Sequence, residues 1–178
     1  MEIKSLIESL LFINETPIKP EDLAKNFNLT TKEVIEIMEE LKREYEERNS
    51  GICILKVAGG YQMCTSPKNS EAIKKFYKEK FKQHLSSAAL EVLAIIAYKQ
   101  PLTKLEIESI RGVNCEGVIK NLLKMGLIRV VGRKKIIGRP FLYGTTRKFL
   151  EHFGLNSLDE LPKLEEGGLC QNELKEFT

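Results

Sequence analysis

The chain has 178 residues, of which 42% are hydrophobic and 30% charged, and its formal net charge is +3. This length allows one large or two small domains, and the composition is ordinary for a soluble globular protein. No apolar run is long enough to span a membrane, and the first four residues predict the start of a helix rather than a signal peptide. We therefore expect a cytoplasmic protein.

No pattern typical of catalysis or metal binding is present. The four cysteines and two histidines are too far apart in sequence to form a metal site or a disulfide framework. There is no Gly-rich phosphate loop, Ser/His/Asp set or H-E-x-x-H helix. We therefore expect no catalytic, cofactor-binding or metal-binding residues and no enzymatic activity. Cys53 and Cys115 are expected to be small apolar filler residues.

Residues 1–67 predict three helices and a β-hairpin. Apolar side chains recur every three or four positions over residues 4–14, as on one face of an amphipathic helix. A second helix begins at Pro20, and Thr30 or Thr31 caps a long third helix.

Two strands follow, over residues 52–57 and 61–65, and a turn at residues 58–60 joins them. Pairing across this turn places alternate residues of the two strands on one inner face. The residues expected on that face are Cys53, Leu55, Val57, Tyr61 and Met63. Cys64 is expected on the opposite face.

Residues 68–84 link this hairpin to the second half of the chain. Ile73, Phe76 and Tyr77 recur at helical spacing among several lysines, which predicts a helix. We favour a surface helix that covers the hairpin and joins two domains. Phosphate contacts made by its lysines are the alternative.

The same order of elements recurs over residues 85–164. The predicted elements are helices over residues 88–99, 103–110 and 115–125 and strands over residues 127–131 and 140–143. A shift of 84 positions places apolar residues of the first half on those of the second without a gap, for example Ile18 on Leu102. The predicted fold class is therefore mainly α (α+β), with two tandem winged-helix domains. Residues 165–178 are expected to be a disordered tail.

Charge is distributed unevenly along the chain. Residues 85–150 contain 12 Lys and Arg and four Glu, a balance of +8, whereas residues 1–84 contain 14 residues of each sign. The third helix of the first domain is rich in Glu and would repel phosphates. Its counterpart in the second domain lacks the Arg, Asn and Gln cluster that reads base edges. A DNA-binding winged-helix transcription regulator is therefore the alternative hypothesis rather than the leading one.

The loop between the last two strands, residues 132–139, is basic. Its possible contacts to the DNA backbone are Arg133, Lys134, Lys135 and Arg139. Such contacts would be weak, independent of base sequence and sensitive to salt. A solvated loop explains the same residues equally well.

Apolar and aromatic residues cluster near this loop. They are Tyr98, Phe141, Leu142 and Tyr143. Aromatic residues together with Arg are typical of buried interface anchors, which favours an adaptor that binds another protein. Packing against the helix that contains Phe149 explains each of these residues singly as well.

Five short motifs are distinctive. They are LAIIAYKQPL at 93–102, IESIRGVN at 107–114, GRK at 132–134, GRP at 138–140 and LYGTT at 142–146. With them, residues 85–164 closely resemble the bacterial segregation and condensation protein B family. The resemblance implies a non-enzymatic subunit of the bacterial condensin complex, at the nucleoid, with a role in chromosome condensation and segregation.

The resemblance also implies partners. Proteins of this family form homodimers through the N-terminal winged helix. The kleisin subunit, segregation and condensation protein A, binds the dimer and bridges the heads of the SMC ATPase. Residues 1–67 would then serve dimerisation, residues 68–84 would form a linker helix, and residues 85–164 would bind the kleisin.

Specific residues are expected at these two contacts. The candidates for the kleisin surface are Tyr98, Gln100, Arg111, Asn114, Arg133, Arg139, Pro140 and Tyr143. The candidates for the dimer contact are Ile3, Ile7 and Leu10. An ion pair with Glu108 or Asp159 is an alternative role for Arg111.

Overall fold

The structure is a computed structural model that describes residues 2–77 and 85–163. It divides into two compact units, Met1–His84 and Leu85–Thr178, which we call domain 1 and domain 2. The second part of the predicted linker helix, residues 78–84, and the predicted disordered tail, residues 165–178, lie outside the described residues.

Domain 1 contains three helices, a hairpin and a short fourth helix. Its elements are α1 (Ile3–Ile13), α2 (Pro20–Phe27), α3 (Thr31–Glu47), β1 (Ile52–Val57), β2 (Gly60–Thr65) and α4 (Ser70–Phe76). Pro20 occupies the first turn of α2, where its missing N–H costs nothing. Thr30 caps α3: its Oγ1 accepts from the Glu33 N–H at 3.2 Å, and the Glu33 carboxylate accepts from the Thr30 N–H at 2.7 Å.

The core of domain 1 lies between its helices and the inner face of the hairpin. Its fully buried residues include Ile7, Leu11, Val34, Met38, Ile54 and Tyr61. These residues come from α1, α3 and both strands, so the helices and the hairpin share one hydrophobic core.

The hairpin of domain 1, which we call wing 1, has a different register from the predicted one. Val57 pairs with Gly60, so the turn has only two residues, Ala58 and Gly59, both with positive φ. This pairing places Ile54 opposite Met63 and Lys56 opposite Tyr61. The prediction that Cys53, Leu55 and Val57 share a face with Tyr61 and Met63 is therefore wrong, because a turn shorter by one residue reverses the faces of β1. Cys64 lies opposite Cys53, on the face away from Tyr61 as expected.

Domain 2 repeats this architecture with a longer loop in its hairpin. Its elements are α5 (Ser87–Lys99), β3 (Leu102–Thr103), α6 (Lys104–Arg111), α7 (Glu116–Met125), β4 (Ile128–Arg133), β5 (Phe141–Thr145) and α8 (Arg147–Phe153). The sheet has the antiparallel order β3-β5-β4. We call the β4–β5 hairpin, with its loop at residues 134–140, wing 2.

The predicted fold class is confirmed, and one detail shows the duplication clearly. Ile18 lies in the connection between α1 and α2 and forms a β-bridge with Tyr61 of wing 1. Leu102 lies at the equivalent position in domain 2 and pairs with Tyr143 of wing 2. Both domains therefore hold the second strand of the wing against the turn that follows their first helix.

The core of domain 2 is formed by α5, α6, α7, α8 and the inner face of the sheet. Its most buried residues include Val92, Ile96, Ile107, Cys115, Leu122, Leu127 and Phe149. Cys115 is the apolar filler that the sequence predicted. Cys53 is only half-buried, on the outer face of wing 1.

Candidate interaction site on wing 2

The tip of wing 2 is a defined turn. The Arg139 N–H donates to the Ile136 carbonyl at 2.9 Å, and the Lys134 N–H donates to the Pro140 carbonyl at 2.9 Å. Gly138 has a φ of 83°, which its missing Cβ permits. The turn leaves the side chain of Ile137 fully exposed and that of Ile136 half-exposed.

The base of wing 2 is anchored to the start of α6. Lys134 Nζ lies 2.5 Å from Glu106 Oε1. Glu106 also accepts from the Thr103 N–H at 2.8 Å and so completes the cap of α6. The ion pair with Lys134, followed by the Thr103 hydrogen bonds, lowers the pKa of Glu106 to about 2. Lys134 is therefore a structural residue of the wing as well as a positive charge.

One face of wing 2 carries an exposed combination of aromatic, aliphatic and cationic groups. Arg133 pairs with Phe141 across the strands, and its guanidinium lies 4.1 Å from the centre of the Phe141 ring. Val130, on the same face, is also exposed. We call Val130, Arg133 and Phe141 the wing patch. The Arg133 guanidinium also donates to the Arg139 carbonyl at 3.2 Å, which holds it over the ring.

Tyr143 is not a surface residue. It lies on the central strand β5, between Leu102 of β3 and Val130 of β4, and is only 9% exposed. The predicted place of its side chain in the kleisin surface disagrees with this burial. The short strand β3 pairs with β5 at Tyr143 and leaves little of the ring accessible. A partner that docks on this conformation contacts little of Tyr143.

Gln100 and Tyr98 make contacts within domain 2. The Gln100 carboxamide accepts from the Thr145 N–H at 2.7 Å and donates to Thr145 Oγ1 at 3.0 Å, so it joins the end of α5 to the end of β5. The Tyr98 hydroxyl donates to the Pro162 carbonyl at 2.8 Å. Both side chains tie chain segments together.

Arg111 and Asn114 stabilise the turn between α6 and α7. Arg111 forms its ion pair with Glu91 of α5, at 2.9 Å, so the expected partners Glu108 and Asp159 are wrong. Glu108 instead accepts from the Cys115 N–H at 2.9 Å. Asn114 Oδ1 accepts from the N–H of the residue two positions on, at 3.0 Å, and so supports the start of α7.

The eight candidates for the kleisin surface are therefore not one cluster. Arg133, Arg139 and Pro140 lie together on wing 2, whereas the other five serve the interior or the turns of domain 2. Phe141, which the sequence placed in the aromatic cluster, and Ile137 are exposed but were not among these eight candidates. Two adjacent isoleucines between a lysine and a glycine in a turn were the available signal, because such positions are usually polar.

Neither third helix presents a surface suited to reading bases. In α7, Glu116 lies 2.8 Å from Lys120 Nζ and 2.9 Å from Lys104 Nζ, and these lysines lower its pKa to about 2. In α3, Glu40 and Glu44 bind Lys4, at 2.7 and 2.5 Å, and raise its pKa to about 12. Ion pairs neutralise the charge around Glu116, and α3 keeps an excess of Glu over Lys and Arg, so neither helix attracts phosphates.

The three candidates for the dimer contact differ in how deeply they are buried. Ile7 is 0% exposed and belongs to the core of domain 1. The prediction that its side chain contacts a second copy is therefore wrong for this conformation. Ile3 and Leu10 are partly buried against the same core. The exposed apolar residues of α1 are Phe12 and Ile13, at its C-terminal end.

No helix within residues 2–77 and 85–163 is long and apolar enough to cross a membrane. No group of three or more His, Cys, Asp or Glu side chains in the same part of the chain is arranged to hold a metal ion.

Comparison with known proteins identifies the family. The model of the family described as "Segregation and condensation complex subunit ScpB" matches residues 5–164. Segregation and condensation protein B of Clostridium perfringens (strain SM101 / Type A) is 47% identical over 165 residues, which cover 92% of this chain and 85% of that protein.

Two solved structures are also similar. The crystal structure of ScpB from Mycobacterium tuberculosis is 32% identical and covers 86% of this chain and 96% of that one, with a TM-score of 0.42. A dimer of the ScpB N-terminal domain complexed with ScpA peptide is 21% identical and covers 42% of this chain and 93% of that one, with a TM-score of 0.39. The family model and the 47% identical relative carry the assignment: the chain belongs to the segregation and condensation protein B family.

Proposed function

We propose that this protein is a non-enzymatic adaptor subunit of the bacterial SMC–kleisin condensin complex. It acts as a homodimer in the cytoplasm, at the nucleoid, and binds the kleisin, segregation and condensation protein A, and through it the SMC ATPase. The description of its family as a subunit of a segregation and condensation complex supports this role. That description names no catalytic activity, which agrees with an adaptor.

Within this proposal the two domains have different tasks. The winged helix of domain 1, residues 1–67, pairs two copies of the chain, and residues 68–84 of the same domain lead to domain 2. The winged helix of domain 2, residues 85–164, binds the kleisin through wing 2. Of the residues first expected at this contact, Arg133, Arg139 and Pro140 are retained, and Phe141 is added.

A single observation carries the kleisin assignment. The Arg133 guanidinium stacks on the exposed ring of Phe141, 4.1 Å away, beside the exposed Val130. Aromatic and Arg side chains that are held in place before binding lose little entropy when a partner covers them, and they dominate protein interfaces. The wing patch is therefore the surface of domain 2 whose exposed side chains are best fixed in place for binding another protein.

A transcription regulator is the weaker alternative. Its third helix would enter the major groove and read base edges. The ion-paired charges around Glu116 and the excess of Glu on α3 oppose this mode in the two domains. Tight binding to one DNA sequence, with no affinity for the kleisin, would support the regulator instead.

Calorimetric titration of the full chain with a purified kleisin segment tests the proposal. We expect Phe141→Ala combined with Arg133→Ala to weaken binding at least about tenfold, because two anchors of the interface are lost. Lys120→Ala, which removes an exposed cation from the same domain, is the matched control and should bind as the wild type does.

A third variant tests the division of tasks between the domains. Leu55→Ser changes an exposed apolar residue of wing 1. If this variant loses kleisin affinity while the variant of the wing patch retains it, the kleisin contact lies on domain 1 and our assignment is wrong. If the wild type shows no binding to the kleisin segment at all, the adaptor role itself is refuted.

A further inference from the structure

The two wings of this duplicated protein differ most at their tips. Wing 1 turns through Ala58 and Gly59, and Ala58 is buried against its own domain. The tip of wing 2 is longer and carries Lys135, Ile136 and Ile137 followed by Gly138 and Arg139. Because both domains are built on the same scaffold, the fold does not require these features, and they call for a separate explanation.

Hydrogen bonds hold the backbone of the wing 2 tip in one conformation, whereas the side chains at its apex make no such contacts with the residues that the structure describes. Two backbone hydrogen bonds close it, from Arg139 to Ile136 and from Lys134 to Pro140, each at 2.9 Å. Lys134 is bound to Glu106 and Arg133 to the ring beneath it. Beyond this fixed base, the side chains of Lys135 and Arg139 have no hydrogen-bonding or ionic partner among the described residues.

A fully exposed Ile between two unpaired cations is an unfavourable arrangement in water alone. Leaving one large aliphatic side chain in water forfeits about 1.5–3 kcal/mol of burial energy. A ligand that repays this cost must offer an apolar slot flanked by negative charge on both sides. The minor groove of duplex DNA has this form, since phosphates line both of its edges and apolar side chains can wedge between its base steps.

We propose that the tip of wing 2 inserts Ile137 into the minor groove of duplex DNA, with Lys135 and Arg139 on the phosphates at its two edges. A single side chain at the apex of a turn is narrow enough for this groove, about 6 Å wide, whereas a helix is not. The balance of +8 over residues 85–150 attracts DNA from a distance. The contact is independent of base sequence, and it goes beyond the adaptor role because it requires no kleisin.

Fluorescence anisotropy with a short labelled duplex rich in A·T pairs, at low salt and with the full chain, tests this inference. We expect Ile137→Ser to weaken binding about tenfold without changing its salt dependence, because no charge is removed. We expect Lys135→Ala to lower the slope of log affinity against log salt by about one. Netropsin, which occupies the minor groove, should displace the protein.

Equivalent substitutions on wing 1 are the matched controls. Leu55→Ser removes an exposed apolar side chain and Lys56→Ala an exposed cation, and both variants should bind DNA as the wild type does. All four altered side chains are exposed, and circular dichroism of each variant checks that the fold is intact.

Four results would overturn the inference. They are an undetectable affinity of the wild type for the duplex, an unchanged affinity of Ile137→Ser, a failure of netropsin to compete, and preferential binding of the tip to anionic phosphatidylserine vesicles. Calorimetry of the same two wing 2 variants with the kleisin segment separates this inference from the adaptor role. Neither Lys135 nor Ile137 belongs to the wing patch, so kleisin binding should be retained.

Discussion

Phe141 and Tyr143 are two residues apart on β5 and face the same side of the sheet, yet their surroundings differ. Tyr143 is 9% exposed and Phe141 is 43% exposed. The difference arises from the neighbouring strands, because β3 reaches Tyr143 through Leu102 and ends before Phe141. Two aromatic residues of similar size on one strand therefore have distinct tasks, one in the core and one at the surface.

A pair of alanine variants separates these tasks. Tyr143→Ala should lower the free energy of unfolding of domain 2 by about 3 kcal/mol, because it leaves a cavity in the core. Phe141→Ala should lower it by less than about 1 kcal/mol, because the ring is partly exposed. Urea unfolding of the full chain, followed through NMR signals of domain 2, measures both. Equal losses of stability in the two variants would contradict this account of β5.

The same comparison shows which site residues the sequence could predict. Arg133, Arg139 and Pro140 could be placed together on wing 2 because their two short motifs flank one predicted loop, whereas their part in the kleisin contact is a proposal. Gln100 and Arg111 were not, because their partners Thr145 and Glu91 are far away in sequence and no spacing rule connects them. Residue type alone cannot distinguish an exposed anchor from a side chain bound within the domain.

The loop of wing 2 is tied to α6 through the carboxylate of Glu106. Glu106 caps α6 and binds Lys134, and these contacts lower its pKa from 4.5 to about 2. A group whose pKa is lower in the folded state stabilises that state above its unfolded pKa. The anchoring of the wing is therefore complete above about pH 4.5 and is lost as the pH falls towards 2.

Acid titration should thus loosen the wing. Amide exchange at residues 134–140 should accelerate between about pH 4.5 and pH 2 beyond the trend of other exposed loops. Glu106→Gln removes the ionised partner and should show fast exchange at every pH in this range. Because the pair is exposed, the effect is modest and weakens in high salt. A wild-type wing whose exchange follows that of other loops would rule out this anchor.

At the level of elements, the sequence predicted the helices well and the strands less well. Helix ends followed from local signals such as Pro20, Thr30 and the capping box of Thr103 with Glu106. The register of wing 1 could not be predicted, because two- and three-residue turns fit the same Gly-rich stretch and only packing distinguishes them. Gly60 shows why: a Cβ there would come within 2.7 Å of the Ile18 carbonyl.

The whole molecule consists of one scaffold used twice, with different surfaces. Domain 1 exposes apolar side chains at the end of α1, whereas domain 2 exposes a basic wing. The repeat was visible in the sequence as a constant shift of 84 positions. The divergence of the two surfaces was visible only as a difference in charge, because exposure depends on tertiary packing.

The proposed dimerisation through domain 1 leads to a prediction about mass. Light scattering should give twice the mass of one chain, and Phe12→Asp should give the mass of a single chain, because a buried charge without a partner opposes association. Phe12 is 73% exposed in the single chain, so this change should leave the fold intact. Leu105→Asp on α6, at a residue 70% exposed, is the control and should remain dimeric. A monomeric wild type at micromolar concentration would contradict dimerisation.

The bridge between Ile18 and Tyr61 has a consequence for how domain 1 opens. Each of these residues donates its N–H to the carbonyl of the other, at 2.8 and 2.9 Å. Neither amide can reach solvent unless the hairpin lifts from the turn after α1 as one body. Deuterium should therefore enter both amides at one common rate, and that exchange rate measures how often the wing detaches.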